Sequence, residues 1–213
     1  MGSEYFIVYS LFIVYSFSMK NAETCEKILE AAKERFGHYG FSKTTMTEIA
    51  KDCDMSAANI YRHFSGKNEI LALLASKILN HQETILTEIV NNQSLNTSEK
   101  LHTFFKEALA ITHQYVTEQP KMKEMVDFIC QERFDLVQSH SDIKKNLIAT
   151  ILREGVASGE FIIHDIEVTA RAFKEATVMF HTPMFMDMYC TEDLTASCTT
   201  ILDLLITAIT PRK

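Results

Sequence analysis

The clearest chemistry in this sequence lies in a short segment suited to binding an anion. Ser56 is of a type preferred as a helix N-cap, and the small residues Ala57 and Ala58 follow it directly. Small side chains at a helix start let the unpaired backbone N–H groups approach a phosphate or the edge of a groove. The segment therefore indicates contact with a polyanion.

The sequence contains no known motif for metal binding or for catalysis. The five cysteines form no C-x-x-C pair, and the eight histidines show no H-E-x-x-H or other zinc spacing. There is no glycine-rich phosphate loop and no G-x-S-x-G nucleophile motif. We therefore expect no metal, no cofactor and no enzymatic activity, with a helical enzyme that uses His or Glu as the alternative. The cysteines are odd in number and scattered along the chain, which indicates reduced thiols and a cytoplasmic protein.

The anion-binding segment is framed by patterns that predict three helices. Thr45 and Glu48 form a capping box that opens one helix, and Ser56 caps a second helix over 57–64 after a turn at Asp54. A longer amphipathic helix precedes both. Its apolar stripe consists of Cys25, Ile28, Leu29, Ala32 and Phe36. Two short capped helices braced by a third are typical of a helix-turn-helix.

The rest of the chain is also predicted to be helical. Only 6 Gly and 3 Pro occur in 213 residues, so breakers are few. A long helix follows Lys67, and further helices are predicted at about 98–117, 120–138, 142–158, 166–181 and 192–209. The net charge of the whole chain is −7, which argues against a protein that binds nucleic acid regardless of its sequence. Residues 20–67 are different, since they carry eight Lys or Arg against seven Asp or Glu. A nearly neutral unit of this kind can still bind DNA if its cations share one face.

Residues 1–18 form an apolar extension that stands apart from this pattern. Phe-Ile-Val-Tyr-Ser occurs at 6–10 and again at 12–16. The apolar run is short for a membrane span, which needs roughly 20 residues, and it lacks the cationic start of a signal peptide. Three interpretations stay open: a natural start at Met19, an extension that packs on the body or a partner, and a membrane anchor. We expect no membrane association.

Residues 40–71, GFSKTTMTEIAKDCDMSAANIYRHFSGKNEIL, closely resemble the DNA-binding signature of TetR-family transcriptional regulators. The matching positions are Ile49, Ala50, Ser56, Tyr61, Phe64, Lys67 and Leu71. The sequence departs from the family pattern at Asp54 and Ala58, where glycine is common, and at Asn59, where threonine is common. Asp54 is expected to adopt a positive φ, which aspartate tolerates better than most residues.

This resemblance implies an all-α fold with a three-helix helix-turn-helix DNA-binding domain over 19–66 and a helical ligand-binding and dimerisation domain over 67–213. It also implies that the helix from Ala57 enters the major groove. The implied DNA-binding residues are Lys43, Thr44, Thr45, Ser56, Ala57, Ala58, Asn59, Tyr61, Arg62, His63 and Lys67. Asn can pair with adenine and Arg with guanine, whereas Thr45 can equally serve as a cap alone.

The resemblance further implies a small-molecule pocket in the helical domain. Its candidate lining residues are His102, Phe104, Phe105, His113, Met125, Phe128, Ile129, Arg133, Phe134 and Phe173. An aromatic residue at helical spacing is more often plain core, which is the alternative for each of these residues.

The resemblance also implies that the last two helices, at about 166–181 and 192–209, pair with those of a second copy in a homodimer. The candidate interface residues are Ala170, Phe173, Thr177, Val178, Phe180, Leu194, Cys198, Ile201, Leu202, Leu205 and Ile209. Burial within one chain is an equal alternative for each of them.

Together these features predict a ligand-responsive repressor that binds a palindromic operator in double-stranded DNA as a dimer and is released by a small-molecule inducer. A helical interaction module that has lost specific DNA binding is the alternative, because of the departures at Asp54 and Ala58.

Overall fold

Residues 19–118 and 121–211, which a computed structural model describes, fold into α-helices and two short 3₁₀ helices without any strand. The all-α prediction is confirmed. The helices are α1 (Met19–Tyr39), α2 (Met46–Asp52), α3 (Ala57–Ile60), α4 (Lys67–Asn91), α5 (Thr97–Glu118), α6 (Met122–Glu132), α7 (Phe134–Ala157), α8 (Ile166–Ala176) and α9 (Thr191–Ile209), with 3₁₀ helices at Val178–Phe180 and Pro183–Met188. The predicted extension at 1–18 and the predicted helix start at Pro120 lie outside the described residues.

The chain packs into two compact units that divide between Leu74 and Ala75, within α4. The predicted boundary between 66 and 67 lies a short distance before this division. In the first unit the apolar stripe of α1 is buried, with Ile28, Ala32 and Phe36 fully enclosed. Gly40 follows α1 at φ 92°, a left-handed conformation that glycine adopts without strain.

The predicted break between the helices 120–138 and 142–158 is wrong. The chain breaks earlier, at Arg133 (φ −136°, ψ 44°), and α7 then continues to Ala157. The polar residues at 139–142 lie within α7, and His140 among them is buried in the second unit. Tertiary packing of this kind overrides a weak local preference for a break.

The predicted helix over 166–181 is too long. Asp165 caps α8 as its type predicts, accepting a hydrogen bond from the backbone N–H of Val168 at 2.9 Å, but α8 ends at Ala176. The buried hydroxyl of Thr177 donates to the carbonyl of Phe173 at 2.7 Å. Such side-chain bonds compete with the helical ladder, and the chain continues as a 3₁₀ turn.

The core of the second unit is a continuous apolar cluster drawn from α4, α5, α7, α8 and α9. Phe104 packs edge-on against Phe105, which stacks on Phe173 at 6.5 Å between ring centroids. Burial of each such side chain contributes roughly 1.5–3 kcal/mol to folding. No helix among the described residues is long and apolar enough to cross a membrane.

Candidate nucleic-acid interface

The second helix of the candidate interface begins with the predicted capping box, which is confirmed. The backbone N–H of Thr45 donates to Glu48 Oε2 at 2.9 Å, and the N–H of Glu48 donates back to Thr45 Oγ1 at 3.3 Å. Hydrogen bonds from Thr45 hold the pKa of the Glu48 carboxyl below its usual value. The box fixes the start of α2 and leaves Thr45 exposed beside it.

The turn between α2 and α3 also forms as expected. Asp54 adopts φ 56°, and Ser56 then accepts a hydrogen bond from the N–H of Asn59 at 3.2 Å as the N-cap of α3. The predicted helix over 57–64 is nevertheless too long. It ends at Ile60, and Tyr61–His63 form a tight turn in which the N–H of His63 reaches the carbonyl of Ile60 at 3.0 Å. This turn brings Ile60 and Phe64 into the core together.

Two cations of α1 hold the helix pair in place. The guanidinium of Arg35 binds Asp52, with Nη2 at 3.1 Å from Oδ1, and lies 3.5 Å from Glu48. Arg35 lowers the pKa of the Asp52 carboxyl through this hydrogen bond. Lys27 Nζ donates to the carbonyl of Cys53 at 2.8 Å, at the end of α2. The sequence patterns missed both ties, since their partners lie far away along the chain.

Lys67 and Thr44 are engaged inside the unit. Lys67 Nζ donates to the carbonyls of Phe41, Ser42 and Thr44 at 2.8, 3.2 and 3.0 Å, and it lies over the Phe41 ring. All three donors of the ammonium therefore have partners. Thr44 is buried and donates its hydroxyl to the carbonyl of Gly40. In this structure Lys67 holds the 41–44 turn.

Replacing Lys67 with Met is expected to lower the free energy of unfolding by about 1–2 kcal/mol, because the turn loses three charge-assisted hydrogen bonds. Urea denaturation followed by circular dichroism measures the change. Lys43→Met is the matched control, since Lys43 is exposed on the same turn, and we expect a change within about 0.5 kcal/mol. Unchanged stability of Lys67→Met with weakened DNA binding would instead assign Lys67 a phosphate contact.

Three of the DNA-binding candidates present free polar groups to solvent. Lys43, Tyr61 and Arg62 are exposed, Tyr61 with 56% of its surface accessible. Within residues 19–118 and 121–211 none of the three makes a side-chain hydrogen bond or an ion pair. All three side chains belong to the helix-turn-helix unit. Cationic and phenolic groups of this kind bind phosphates and base edges.

The other DNA-binding candidates fall into two groups. Ser56 and Ala58 are exposed, and Ala57 and Asn59 are half-buried at the start of α3. His63 is also half-buried, and its Nδ1 lies 3.7 Å from the thiol of Cys25. His63 therefore links the turn after α3 to α1.

The structure disperses the polar residues predicted to line a pocket. His102 lies 3.1 Å from Asp203, His113 lies 2.7 Å from the hydroxyl of Thr191, and Arg133 forms a two-pronged pair with Asp135 at 2.9 and 2.8 Å. All three pairs are at least partly exposed to solvent.

The predicted apolar lining is mostly buried, with one exception. Phe104, Phe105 and Phe173 share the core of the second unit, and Met125 and Ile129 are buried on α6. Phe128 is half-buried. Phe134 is 58% exposed at the start of α7 and does not join them.

A buried polar cluster that the sequence patterns missed lies in the second unit, where His140 and Lys144 are buried and Glu83 and His181 are half-buried. His140 Nδ1 lies 2.7 Å from Glu83 Oε1, and Lys144 Nζ lies 3.0 Å from His181 Nδ1. Burial lowers the pKa of Lys144 to about 8 and that of His181 to about 3. Among the described residues no group of three His, Cys, Asp or Glu is placed to hold a metal ion.

Most of the predicted interface residues are buried within one chain. Those in the core are Ala170, Phe173, Thr177, Phe180, Leu194, Cys198 and Leu202. Val178 is exposed, whereas Ile201, Leu205 and Ile209 are half-buried. The outer face of α8 and α9 also exposes Val168 and Leu204, the latter at 66%.

A capped helix pair that a third helix braces, with free cationic and phenolic groups beside it, defines a helix-turn-helix DNA-binding protein. Comparison with known proteins identifies the family. Residues 28–74 match the family model of the bacterial regulatory proteins, tetR family, and residues 97–202 match that of the tetracyclin repressor-like C-terminal domain. The chain belongs to the TetR family of transcriptional regulators.

Individual relatives agree with this assignment. The probable HTH-type transcriptional regulator YttP of Bacillus subtilis is 27% identical over 68% of this chain and 65% of its own length. A transcriptional regulator from Cytophaga hutchinsonii has a similar structure, with a TM-score of 0.72 and 22% identity over 87% of this chain and 98% of that one. The Thermus thermophilus repressor FadR, solved with lauroyl-CoA, has a TM-score of 0.60 and 21% identity over 89% and 96%. The two structural likenesses support the fold.

Proposed function

We propose that this protein is a cytoplasmic, ligand-responsive repressor that binds a palindromic operator as a homodimer and releases it when a small molecule binds the second unit. One observation supports the proposed DNA binding. The side chains of Lys43, Tyr61 and Arg62 on the helix-turn-helix are exposed and have no partner among the described residues. Arg62 can bind a guanine edge or a phosphate, and Lys43 can neutralise a phosphate. FadR, which is similar in fold, is a transcriptional repressor solved in complex with lauroyl-CoA.

The dimer is supported by apolar groups left exposed on the last two helices. Val168 on α8 and Leu204 on α9 are large hydrophobic side chains that the described residues leave exposed. Exposed apolar surface of this kind is typical of protein interfaces. A dimer with two-fold symmetry would present two helix-turn-helix units to the two halves of a palindrome.

Ligand response requires that the small molecule and the operator favour different states of the protein. A ligand with equal affinity for both states would shift nothing. Reciprocity then requires the operator to weaken ligand binding by the same factor.

The experiment that tests this function is fluorescence anisotropy of the protein against tiled duplexes from the DNA that flanks its own gene. We expect one tile to bind saturably, and Arg62→Ala to weaken that binding roughly tenfold or more, because one charged contact to a base or phosphate is lost. Lys123→Ala is the control, since Lys123 is an exposed cation of α6 outside the two helices proposed to dimerise, and we expect its affinity to stay within about twofold of the wild type.

The alternative is a helical module that no longer binds DNA specifically. Binding no tighter to any tile than to scrambled DNA, with Arg62→Ala indistinguishable from Lys123→Ala, would favour this alternative. The positive φ that Asp54 adopts shows that its departure from glycine leaves the turn formed. We therefore favour the DNA-binding regulator.

A further inference from the structure

The buried polar cluster of the second unit has a layout suited to holding a ligand. Glu83 comes from α4, His140 and Lys144 from successive turns of α7, and His181 from the segment after the first 3₁₀ helix. Residues four apart on a helix share a face, so α7 directs both side chains to the same interior region. Three separate parts of the chain thus converge on one buried place.

Lys144 is the member of the cluster with unused binding capacity. Its side chain is buried, and among the described residues its ammonium makes a single hydrogen bond, to Nδ1 of His181. Glu83 binds His140 and does not form an ion pair with Lys144. An ammonium has three donors, so two of them have no partner among the described residues. A buried cation in this condition is costly unless an acceptor binds it.

The protonation states leave Lys144 cationic. Burial lowers the pKa of Lys144 only to about 8, so the amine is mostly protonated at neutral pH. Burial also lowers the pKa of His181 to about 3 and lowers that of His140, so both imidazoles are neutral there. His181 therefore accepts from the ammonium through Nδ1, and His140 donates through Nδ1 to the carboxylate of Glu83.

The charge of the cluster matches a ligand with a single negative charge. Glu83 contributes one negative charge, and Lys144 contributes one positive charge. Lys174 adds a second positive charge beside them, with its Nζ 2.9 Å from the hydroxyl of Ser141. The surplus is one positive charge, and a monoanion would neutralise it.

The region next to the cluster is apolar and aromatic. The ring of Phe105 lies 6.4 Å from the imidazole of His181, and Phe105 also stacks on Phe173. A buried charged group beside aromatic side chains suits a ligand with an anionic head and an apolar body.

We propose that Lys144 binds the carboxylate of an apolar carboxylic acid, with His181 holding the ammonium in position and Phe105 contacting the apolar body. This inference rests on the proposed ligand response and names the chemical class of the effector. The acid enters as its carboxylate, which accepts hydrogen bonds from the two unused donors of Lys144.

The test compares three probes that share one eight-carbon chain: octanoate, octanamide and octylammonium. Isothermal titration calorimetry of the full chain at neutral pH should show octanoate binding roughly tenfold or more tightly than octanamide, since a charge-assisted bond replaces a neutral one. Octylammonium should bind more weakly still. In Lys144→Met the preference for octanoate over octanamide should fall to within roughly twofold, while the control Lys106→Met, at an exposed lysine of α5, should keep it.

Two results would overturn the inference: no octanoate binding by the wild type, or octanamide binding as tightly as octanoate. Both results are measured on the wild-type protein alone, so a folding defect in Lys144→Met cannot obscure them. The anisotropy assay on the same preparation separates this failure from that of the proposed function. A protein that binds its operator tile without preferring octanoate keeps the regulatory function and loses only this assignment.

Discussion

Replacing Glu154 with Ala is expected to lower the free energy of unfolding by about 3 kcal/mol. Lys100 is fully buried, and its Nζ binds both carboxylate oxygens of Glu154, at 2.8 and 2.7 Å. Loss of Glu154 leaves a buried ammonium without its carboxylate. The cost is set by the desolvated charge more than by the lost attraction, because Glu154 itself is 41% exposed.

The same argument predicts that the single and the double variant differ in their free energy of unfolding, which denaturant unfolding measures. The double variant Lys100→Met with Glu154→Ala should recover most of the lost stability, because it buries no charge. Glu107→Ala on α5 removes an exposed carboxylate and should change stability by less than about 0.5 kcal/mol. A double variant as unstable as Glu154→Ala would contradict this account of the pair.

Replacing Gly155 with Ala is expected to cost about 3 kcal/mol, the upper part of the range for overpacking a core. A methyl group at this position would overlap the Cδ2, Cε2 and Cγ atoms of the Phe161 ring. Phe161 is buried, and its N–H donates to the carbonyl of Gly155 at 3.0 Å, so neither the ring nor the backbone has room to withdraw. The usual helix-propensity gain of about 1 kcal/mol for alanine over glycine is included in this value.

Gly66 is the matched control for Gly155. A methyl group there would meet nothing within 4 Å, so Gly66→Ala should change stability by less than about 1 kcal/mol in either direction. Thermal unfolding of both variants beside the wild type measures the difference. A Gly155→Ala protein as stable as the wild type would show that the Phe161 region rearranges freely.

The helix-turn-helix was predictable because its signals are local. The capping box joins Thr45 to Glu48 within three residues, and the N-cap bond joins Ser56 to Asn59 over the same spacing. The end of α3 was misplaced because the patterns do not distinguish a second helical turn from the tight turn at Tyr61–His63. The contacts that hold the unit together, such as Arg35 with Asp52, have no periodic signature.

The second unit was predicted less well because its polar interior joins distant segments. Glu83 and His140 are 57 residues apart, and Lys144 and His181 are 37 apart. The one local signal, the spacing of His140 and Lys144, was concealed by the break wrongly placed near 139–142. The predicted pocket therefore emphasised His102, His113 and Arg133, all of which pair near the surface.

The central claim is that the exposed groups of the helix-turn-helix read a specific DNA site. The most direct test is the affinity for the operator tile relative to a scrambled duplex of the same composition, measured by anisotropy over a range of salt concentrations. We predict a preference of roughly 10³-fold or more at physiological salt. Affinity should also fall linearly on a log–log plot against salt, with a slope shallower by about 1 in Lys43→Gln. Equal affinity for the two duplexes at every salt concentration would contradict the claim.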